Sequence, residues 1–189
     1  MVYVFLADGF EESEAIVPID YMRRAGIEVT TVGVGTSMPK GSHGITVMAD
    51  ISEDMFFPSD DTEAVFFPGG GLGTENLAKS ETVRRAARLG FGESDGMIVA
   101  AICAAPTIMA REGLLNGKKA TCFPDRIDEL GDSYSDSDVV IDPPYITGRA
   151  AGVVSGFALK LVEMLRGPEA AEEIASRICY PERSENTDV

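Results

Sequence analysis

The chain has 189 residues, of which 44% are hydrophobic and 25% are charged, proportions that fit one soluble globular domain able to bury a core without disulfides or metals. The formal charge of −15 argues against binding to nucleic acid or to anionic membrane surfaces, because phosphate binding requires clustered lysine and arginine. No apolar run approaches the ~18 residues of a membrane span, and no secretory signal is evident, so a cytoplasmic protein is expected.

Apolar periodicity and turn residues predict the elements of secondary structure. In chain order these are strand 2–7, helix 13–25, strand 28–34, a loop to strand 45–49, a connection with one helical turn at 50–61, strand 64–67, helices 74–79 and 81–89, strand 97–102, helix 106–111, strand 119–122, helix 125–130, a hairpin of 139–142 and 145–148, and helices 153–165 and 168–178. Strands alternating with helices predict an α/β fold, a flavodoxin-like three-layer sandwich with a mostly parallel sheet and helices on both faces. Residues 1–180 are expected to form one domain and residues 181–189 a mobile polar tail.

The first predicted helix carries an acidic N-terminus. Glu11 and Glu12 are interpreted as favourable charge at that end of the helix. Pro18 removes the amide that would bond the carbonyl of Glu14, which predicts a distorted first turn. Ligands of such folds usually bind outside the carboxyl ends of the strands, where Glu14 is expected.

A glycine cluster follows the predicted strand 64–67. Residues 69–71 are all glycine, and this composition lets backbone amides approach a ligand closely. The cluster lacks the G-x-x-x-x-G-K-[ST] pattern, so a nucleotide-phosphate loop is not supported.

Cys103 ends an apolar run and precedes a helix. Pro106 suits a first helical position, and the small Ala104 and Ala105 allow a tight turn, so the thiol lies on a strand–turn–helix elbow. Free N–H groups at the helix N-terminus favour a thiolate there. The same pattern also fits a buried and unreactive cysteine, since free cysteine is among the most buried residue types.

The other cysteines and the single histidine restrict the chemistry. The chain has three cysteines, Cys103, Cys122 and Cys179. An odd number without Cys-x-x-Cys spacing argues against a disulfide framework and against a zinc site. Reduced thiols are expected. A histidine-dependent triad, or a metal site with several histidine ligands, is excluded unless His43 takes part, and His43 beside Gly44 is interpreted as a surface turn residue.

Four stretches resemble the ThiJ/PfpI superfamily, and specifically its DJ-one branch. They are FLADGFEESEAIVPIDYMRRAGIEVT, VFFPGGGLGTENL, IVAAICAAPTIMA and ITGRAAG, and the similarity spans about residues 2–178. The resemblance implies that Cys103 is an easily oxidised nucleophile and that Glu14 is its partner. Glu14 favours a thiolate only when it is itself protonated and donates a hydrogen bond, because two negative charges would repel. The backbone N–H groups of Gly70 and Ala104 match the family's oxyanion donors.

The chain departs from the family pattern at several positions. Ala104 stands where the protease-like branch has histidine, so peptidase activity is not expected. Phe123 stands where animal members have a pocket histidine, and His43 where the family often has arginine. Arg149 is retained, but residues 150–151 are two alanines where Gly-Pro is common. His43, Phe123 and Arg149 are kept as candidate pocket residues.

The resemblance implies an enzyme that converts reactive 2-oxoaldehydes such as methylglyoxal, free or as early protein adducts, without a cofactor or metal. The alternative is a redox-responsive stress protein or chaperone whose Cys103 is oxidised to a sulfinate. A structural relative with an accidental cysteine is the third possibility. The expected partners are a small reactive aldehyde or an oxidant and, since family members are usually homodimers, a second copy of the chain, with the helix that carries Met22 as a candidate contact.

Overall fold

A seven-stranded sheet organises the fold in the computed structural model, which describes residues 1–90 and 97–181. The strands are β1 (Val2–Ala7), β2 (Val29–Val34), β3 (Ile51–Ser52), β4 (Ala64–Phe67), β5 (Ile98–Ile102), β6 (Val139–Asp142) and β7 (Tyr145–Gly148). Their order across the sheet is β3-β2-β1-β4-β5-β7-β6, and each neighbouring pair is parallel except β6 with β7. The predicted mostly parallel sheet is therefore confirmed.

Helices cover both faces of the sheet. They are α1 (Glu12–Arg24), α2 (Gly71–Lys79), α3 (Glu81–Arg88), α4 (Pro106–Arg111), α5 (Ile127–Leu130), α6 (Val154–Arg166) and α7 (Pro168–Arg177). Short 3₁₀ turns occur at Glu53–Met55, Pro124–Arg126, Gly131–Ser133 and Ala151–Val153. One apolar core lies between the sheet and α1, α6 and α7, and the other lies between the sheet and α2 to α5. The predicted three-layer α/β sandwich is confirmed.

Strand β1 shows why the sheet is buried on both sides. Val2, Val4 and Leu6 point into one core, and Tyr3 and Phe5 point into the other. All six residues of the strand are buried, which matches an apolar run without alternation. Each fully buried large apolar side chain contributes about 1.5–3 kcal/mol to folding, so this central strand anchors both layers.

Two predicted strands do not form. Residues 45–49 form a single β-bridge, between Thr46 and Lys40, and a few backbone hydrogen bonds to residues 37–41, while Ile45 and Met48 are exposed. The short strand β3 comes later instead. Residues 119–122 likewise make one bridge, at Ala120. There the amide of Thr121 donates a hydrogen bond to the side-chain oxygen of Thr147 and not to a backbone carbonyl.

Other predictions differ only at their boundaries or fall outside the described residues. Helix α2 begins at Gly71, three residues before the predicted start, and α1 continues through Pro18. The predicted tail lies outside the described residues from position 182 onward. Among residues 1–90 and 97–181, no helix has both the length and the apolar character that a membrane crossing requires.

Candidate functional site

Three loops meet at the carboxyl edge of the sheet. Strands β1, β4 and β5 are adjacent and parallel, so their carboxyl ends lie side by side. The loop after β1 leads to Glu14 in the first turn of α1, the loop after β4 carries Gly69 and Gly70, and β5 leads directly into Cys103. The predicted convergence of these three features is confirmed.

Cys103 sits on a strained backbone. Its φ of 64° is in the left-handed region, where a residue with a Cβ pays about 1–2 kcal/mol. The fold holds this conformation from both sides, because the amide of Cys103 donates to the carbonyl of Gly148 at 2.9 Å and its carbonyl accepts from the amide of Phe123 at 2.8 Å. The elbow therefore presents the half-buried thiol in a fixed direction.

The glycine turn leaves room for the thiol and the carboxyl to meet. A Cβ on Gly69 would overlap the Oε2 atom of Glu14 and would lie 2.6 Å from the Cβ of Cys103. Gly70 has a φ of 94°, and a Cβ there would overlap the carbonyl of Gly9. Only glycine fits at both positions. The turn that these glycines form brings the amide of Gly70 to the sulfur of Cys103.

Glu14 is almost completely buried beside the thiol. The residue is only 1% exposed to solvent. Its Oε2 atom accepts a hydrogen bond from the amide of Gly69 at 3.1 Å. It also hydrogen-bonds Cys103 and the backbone amide of Ala151. Burial, with a smaller contribution from the charge of Glu11, raises the pKa of Glu14 to about 7, against the lowering effect of these hydrogen bonds.

The same surroundings shift the pKa of the Cys103 thiol upward. Burial, and then the charge and hydrogen bond of Glu14, raise the pKa of Cys103 to about 12, although the amides of Gly70 and Ala104 favour the thiolate. A resting thiolate beside a protonated Glu14 stays a prediction. When the pair holds one proton, the thiolate arises when Glu14 carries that proton.

The acidic residues before Glu14 have separate structural tasks. Glu11 caps α1, since its carboxylate accepts from the amide of Glu14 at 2.7 Å and from the hydroxyl of Ser13 at 2.6 Å. The interpretation of Glu11 as helix N-terminal charge is confirmed. The same interpretation of Glu12 is incomplete, because its buried carboxylate accepts from the amide of His43 at 2.7 Å and of Ile45 at 3.3 Å.

His43 is a surface turn residue, as predicted, but its ring is tied to Glu12. The Nδ1 atom lies 3.0 Å from the Oε2 atom of Glu12, while the side chain is 73% exposed. The hydrogen bond and the charge of Glu12 raise the pKa of His43. Burial opposes ionisation of Glu12, but hydrogen bonds from the ring and from backbone amides outweigh it and lower its pKa to about 2. This pair closes the loop that follows β2 onto α1.

Replacing Glu12 with alanine is expected to lower the free energy of unfolding by about 2 kcal/mol at neutral pH, because the part-buried amides of His43 and Ile45 lose a charged acceptor. Urea denaturation monitored by circular dichroism measures the change. His43→Ala serves as the control and should lower the free energy of unfolding much less than Glu12→Ala, since the exposed ring gives up only a surface ion pair. Equal losses in the two variants would contradict the assignment.

The remaining candidate pocket residues differ in their relation to the thiol. The backbone amide of Phe123 donates a hydrogen bond to the carbonyl of Cys103, and the Phe123 side chain is 40% exposed. The guanidinium of Arg149 donates to the carboxylate of Asp136, and its Nε atom lies 3.7 Å from Asp138. Roles for Phe123 and Arg149 in binding a substrate remain predictions.

A metal site finds little support at this edge of the sheet. Within the described residues, Glu11, Glu12 and His43 form the cluster whose potential ligand atoms come within 4.8 Å of one another. The carboxylates already accept hydrogen bonds from the helix N-terminus and from the 42–45 loop. We therefore interpret the cluster as structural.

Two contributions to the site were not predicted from the sequence. The sequence identifies Gly69 only as part of a glycine cluster, whereas the structure places it between Glu14 and Cys103. Ala151 is a departure from the family pattern in the sequence, and in the structure its backbone contributes to lowering the pKa of Glu14. A backbone donor leaves no signature in the amino-acid sequence, since every residue except proline has one.

Comparison with known proteins places this geometry in a family. The sequence model of the DJ-1/PfpI family matches residues 1–164. Protein dj-1beta of Drosophila melanogaster is 40% identical over 176 residues, covering 91% of this chain and 92% of that protein. The solved structure of oxidized Toxoplasma gondii DJ-1 has a TM-score of 0.86 at 32% identity and covers 95% of this chain and 97% of that chain.

Two further relatives have names that state an activity. A glutathione-independent glyoxalase of Caenorhabditis elegans is 31% identical over 173 residues, covering 89% of this chain and 90% of that protein. A deglycase of Pyrococcus abyssi is 30% identical over 168 residues, covering 87% of this chain and 99% of that protein. With a family model over most of its length and relatives of this identity, the chain belongs to the DJ-1/PfpI family, in its DJ-1 branch.

Proposed function

We propose that this protein is a cofactor-independent cysteine enzyme that converts 2-oxoaldehydes such as methylglyoxal into 2-hydroxy acids. One observation carries the proposal: the thiol of Cys103 hydrogen-bonds the buried carboxyl of Glu14, and its sulfur also accepts hydrogen bonds from the backbone amides of Gly70 and Ala104. This arrangement supplies a nucleophile, a proton carrier and oxyanion donors around a single carbon. The names of the glyoxalase and deglycase relatives support the same substrate class.

The first step forms a bond between sulfur and the aldehyde carbon. Glu14, whose pKa of about 7 leaves a carboxylate available at neutral pH, takes the proton of the Cys103 thiol as sulfur attacks. The carbonyl oxygen of the aldehyde becomes an oxyanion and accepts from the amides of Gly70 and Ala104 before it is protonated to a hemithioacetal.

The second step moves hydrogen between neighbouring carbons. A carboxylate at position 14 removes the proton from the former aldehyde carbon, giving an enediol, and returns a proton to the adjacent carbon. The product is a thioester of the 2-hydroxy acid on Cys103. Water hydrolyses this thioester, releasing the acid and restoring the thiol, so the overall reaction adds one water and needs no oxidant or reductant.

The same chemistry extends to early adducts of a 2-oxoaldehyde with amino groups of proteins. Such an adduct is a carbinolamine, which is in equilibrium with the free aldehyde that Cys103 can attack. Peptidase activity is not favoured, since the ring of His43 hydrogen-bonds Glu12 and the residue after the nucleophile is Ala104.

Incubation of the purified protein with methylglyoxal tests the proposal. We expect lactate to accumulate through many turnovers without added glutathione or metal, measured enzymatically or by proton NMR. In deuterated water, the transferred position should carry deuterium in proportion to exchange of the proton on Glu14 with solvent. Consumption of methylglyoxal in a single stoichiometric modification, without lactate, would reject the enzyme.

A second candidate is a redox-responsive stress protein or chaperone. It is favoured by the two amides directed at the sulfur of Cys103, which would hold the oxygens of a sulfinate, and a similar solved structure is of an oxidized protein. Two molecules of peroxide would oxidise the thiol, first to a sulfenic and then to a sulfinic acid, with release of one water each time.

Graded treatment with hydrogen peroxide and intact-mass measurement tests this second candidate. Oxidation of Cys103 should stop after two oxygens have been added, because protonated Glu14 and the two amides stabilise the sulfinate. Cys122 is fully buried, so peroxide does not reach its sulfur and it should remain reduced. Oxidation of Cys122 or Cys179 before Cys103 would reject a dedicated redox role.

The predicted homodimer remains a prediction, but the candidate contact changes. Met22 is fully buried in the core and is unable to contact a partner. Helix α1 instead exposes Ile16, and the neighbouring loop exposes Ile45 and Met48. These side chains are the apolar surface that this region offers to a second copy.

A further inference from the structure

Strand β6 forms an open edge of the sheet. It is the last strand on its side among the described residues, where β7 is its one neighbour. The amide of Arg149 donates to the carbonyl of Asp138 at 2.9 Å, and hydrogen-bonded pairs in an antiparallel ladder alternate. Val140 therefore bonds to β7, whereas Val139 and Ile141 turn their N–H and C=O groups outward, away from the sheet.

An apolar groove, here called the β6 groove, runs beside this edge. Val139 packs on the core that α6 and α7 cover. Ile141 lies two residues further along and so belongs to the same face of the sheet, where it is 42% exposed. A cavity of about 780 Å³ lies between β6 and the two helices. Its apolar walls are Val139, Leu159, Pro168, Ala171, Ala175 and Tyr180. The edge therefore combines outward main-chain groups with a place for apolar side chains.

The charge of the β6 groove favours a basic partner. Asp138, Glu163 and Glu172 contribute three carboxylates, and Lys160 is the cation among the residues that line it. Lys160 pairs with Glu163 at 2.6 Å, and Arg149 lies 3.7 Å from Asp138. The exposed Glu172 on α7 therefore offers its charge most fully to a partner. The net charge of −15 over the whole chain attracts cations to this surface as well.

A second copy of the chain is a poor occupant of the same edge. If two β6 strands paired in antiparallel fashion about Val140, Asp138 of one copy would lie opposite Asp142 of the other. Like charges directly opposite each other destabilise a strand pair. A segment with basic residues meets no such repulsion, and its main chain can still bond to the outward groups of β6.

We propose that the edge of β6 binds an extended basic peptide segment as an additional strand, with alternate apolar side chains in the β6 groove and a lysine or arginine at Glu172. Recognition of this kind takes its affinity from main-chain hydrogen bonds and its specificity from a pocket for every second side chain. The site does not use Cys103. It adds to the proposed enzyme a surface that holds extended segments of other proteins.

Fluorescence anisotropy of a labelled peptide, KLTVTLK, mixed with the full-length protein tests the proposal. The apolar residues of this peptide share one face of a strand, and its lysines flank them. We expect saturable binding that weakens as salt is raised. The acidic peptide ELTVTLE, and the peptide KLLVTTK, which has the same composition without the alternation, should each bind at least about tenfold more weakly.

Two pairs of variants locate the binding. Glu172→Lys reverses a charge in the β6 groove and should weaken binding about fivefold at low salt. Glu173→Lys is its matched control, because Glu173 is the next exposed residue of α7 but does not line the groove. Ile141→Pro removes an outward N–H group without breaking a bond to β7 and should weaken binding about tenfold. Ile141→Val keeps that group and should bind almost as wild type.

Hydrogen–deuterium exchange of the complex reports on the edge directly, since the peptide should slow exchange of the amides of Val139 and Ile141. Equal binding of the acidic peptide, equal effects of Glu172→Lys and Glu173→Lys, or unchanged exchange at residues 139–142 would overturn the inference. The Glu172 pair decides the matter if Ile141→Pro fails to fold.

Two other occupants would also be revealed. Binding of KLTVTLK only after removal of residues 182–189 would assign the groove to the chain's own end, and binding only to a monomer released by Ile141→Pro would assign the edge to a second copy. Either result would overturn the inference. Peptide binding requires no thiol, so Cys103→Ser should bind as wild type, and the outcome stands apart from whether methylglyoxal is converted to lactate.

Discussion

Cys103→Ser is expected to reduce lactate formation from methylglyoxal by at least about a thousandfold, because the covalent route ends when the attacking sulfur is lost. A serine hydroxyl at the same elbow is far less acidic than a thiol, and Glu14 with a pKa of about 7 is too weak a base to ionise it. Substrate binding should persist. The measurement is kcat from initial rates across a range of methylglyoxal concentrations.

The other two cysteines provide the controls for this result. Cys179 is exposed and Cys122 is buried in the core on the opposite face of the sheet from the Cys103 side chain. Cys179→Ser and Cys122→Ala should therefore keep wild-type kcat. A Cys103→Ser protein with full turnover would eliminate the nucleophile and with it the proposed enzyme.

Glu14→Gln is expected to raise stability while abolishing turnover. Wild-type Glu14 is protonated more readily in the folded protein than in the unfolded chain, its pKa being about 7 instead of 4.5. Between those values the folded state binds more protons, so its stability falls as pH rises and stays lower above about pH 7. Glutamine resembles the protonated carboxyl and carries no such penalty. The variant should be about 3 kcal/mol more stable than wild type at pH 8, and about equal at pH 4.

Denaturant unfolding at these two pH values checks the stability change, and the lactate assay checks the loss of the proton carrier. Glu28→Gln is a suitable control, because Glu28 is an exposed glutamate at the amino end of β2, opposite the carboxyl edge of the sheet where the site lies. It should match wild type in both measurements. A Glu14→Gln protein that is less stable than wild type at pH 8 would show that ionisation of the buried carboxyl does not destabilise the fold.

The sequence predicted most of the fold because buried parallel strands leave an unambiguous pattern. The apolar runs at β1, β4 and β5 were correctly located, as were the glycine turn and the elbow that follow two of them. The segment 45–49 was misassigned because its apolar residues look like a strand but face outward. The strand predicted at residues 119–122 does not form for another reason, since the side-chain oxygen of Thr147, and not a backbone carbonyl, accepts from the amide of Thr121.

Predictions for the site were less complete than those for the fold. Family motifs pointed to Cys103, Glu14, Gly70 and Ala104, and the structure brings these residues together. The protonation state was not predictable, because it depends on how far burial outweighs the backbone donors. The positive φ of Cys103 was also not visible, since the hydrogen bonds that impose it come from residues distant in the chain.

The first turn of α1 gives the protein a point of early failure. Within this turn Glu11 caps the helix, Glu12 holds the 42–45 loop and Glu14 faces the thiol. Pro18 leaves the carbonyl of Glu14 without its usual helical partner, so this turn lacks one of the bonds that resist fraying. Local opening would remove all three contacts in one event while both cores stay intact. On heating, the protein should therefore lose activity at a lower temperature than the one at which the whole domain unfolds.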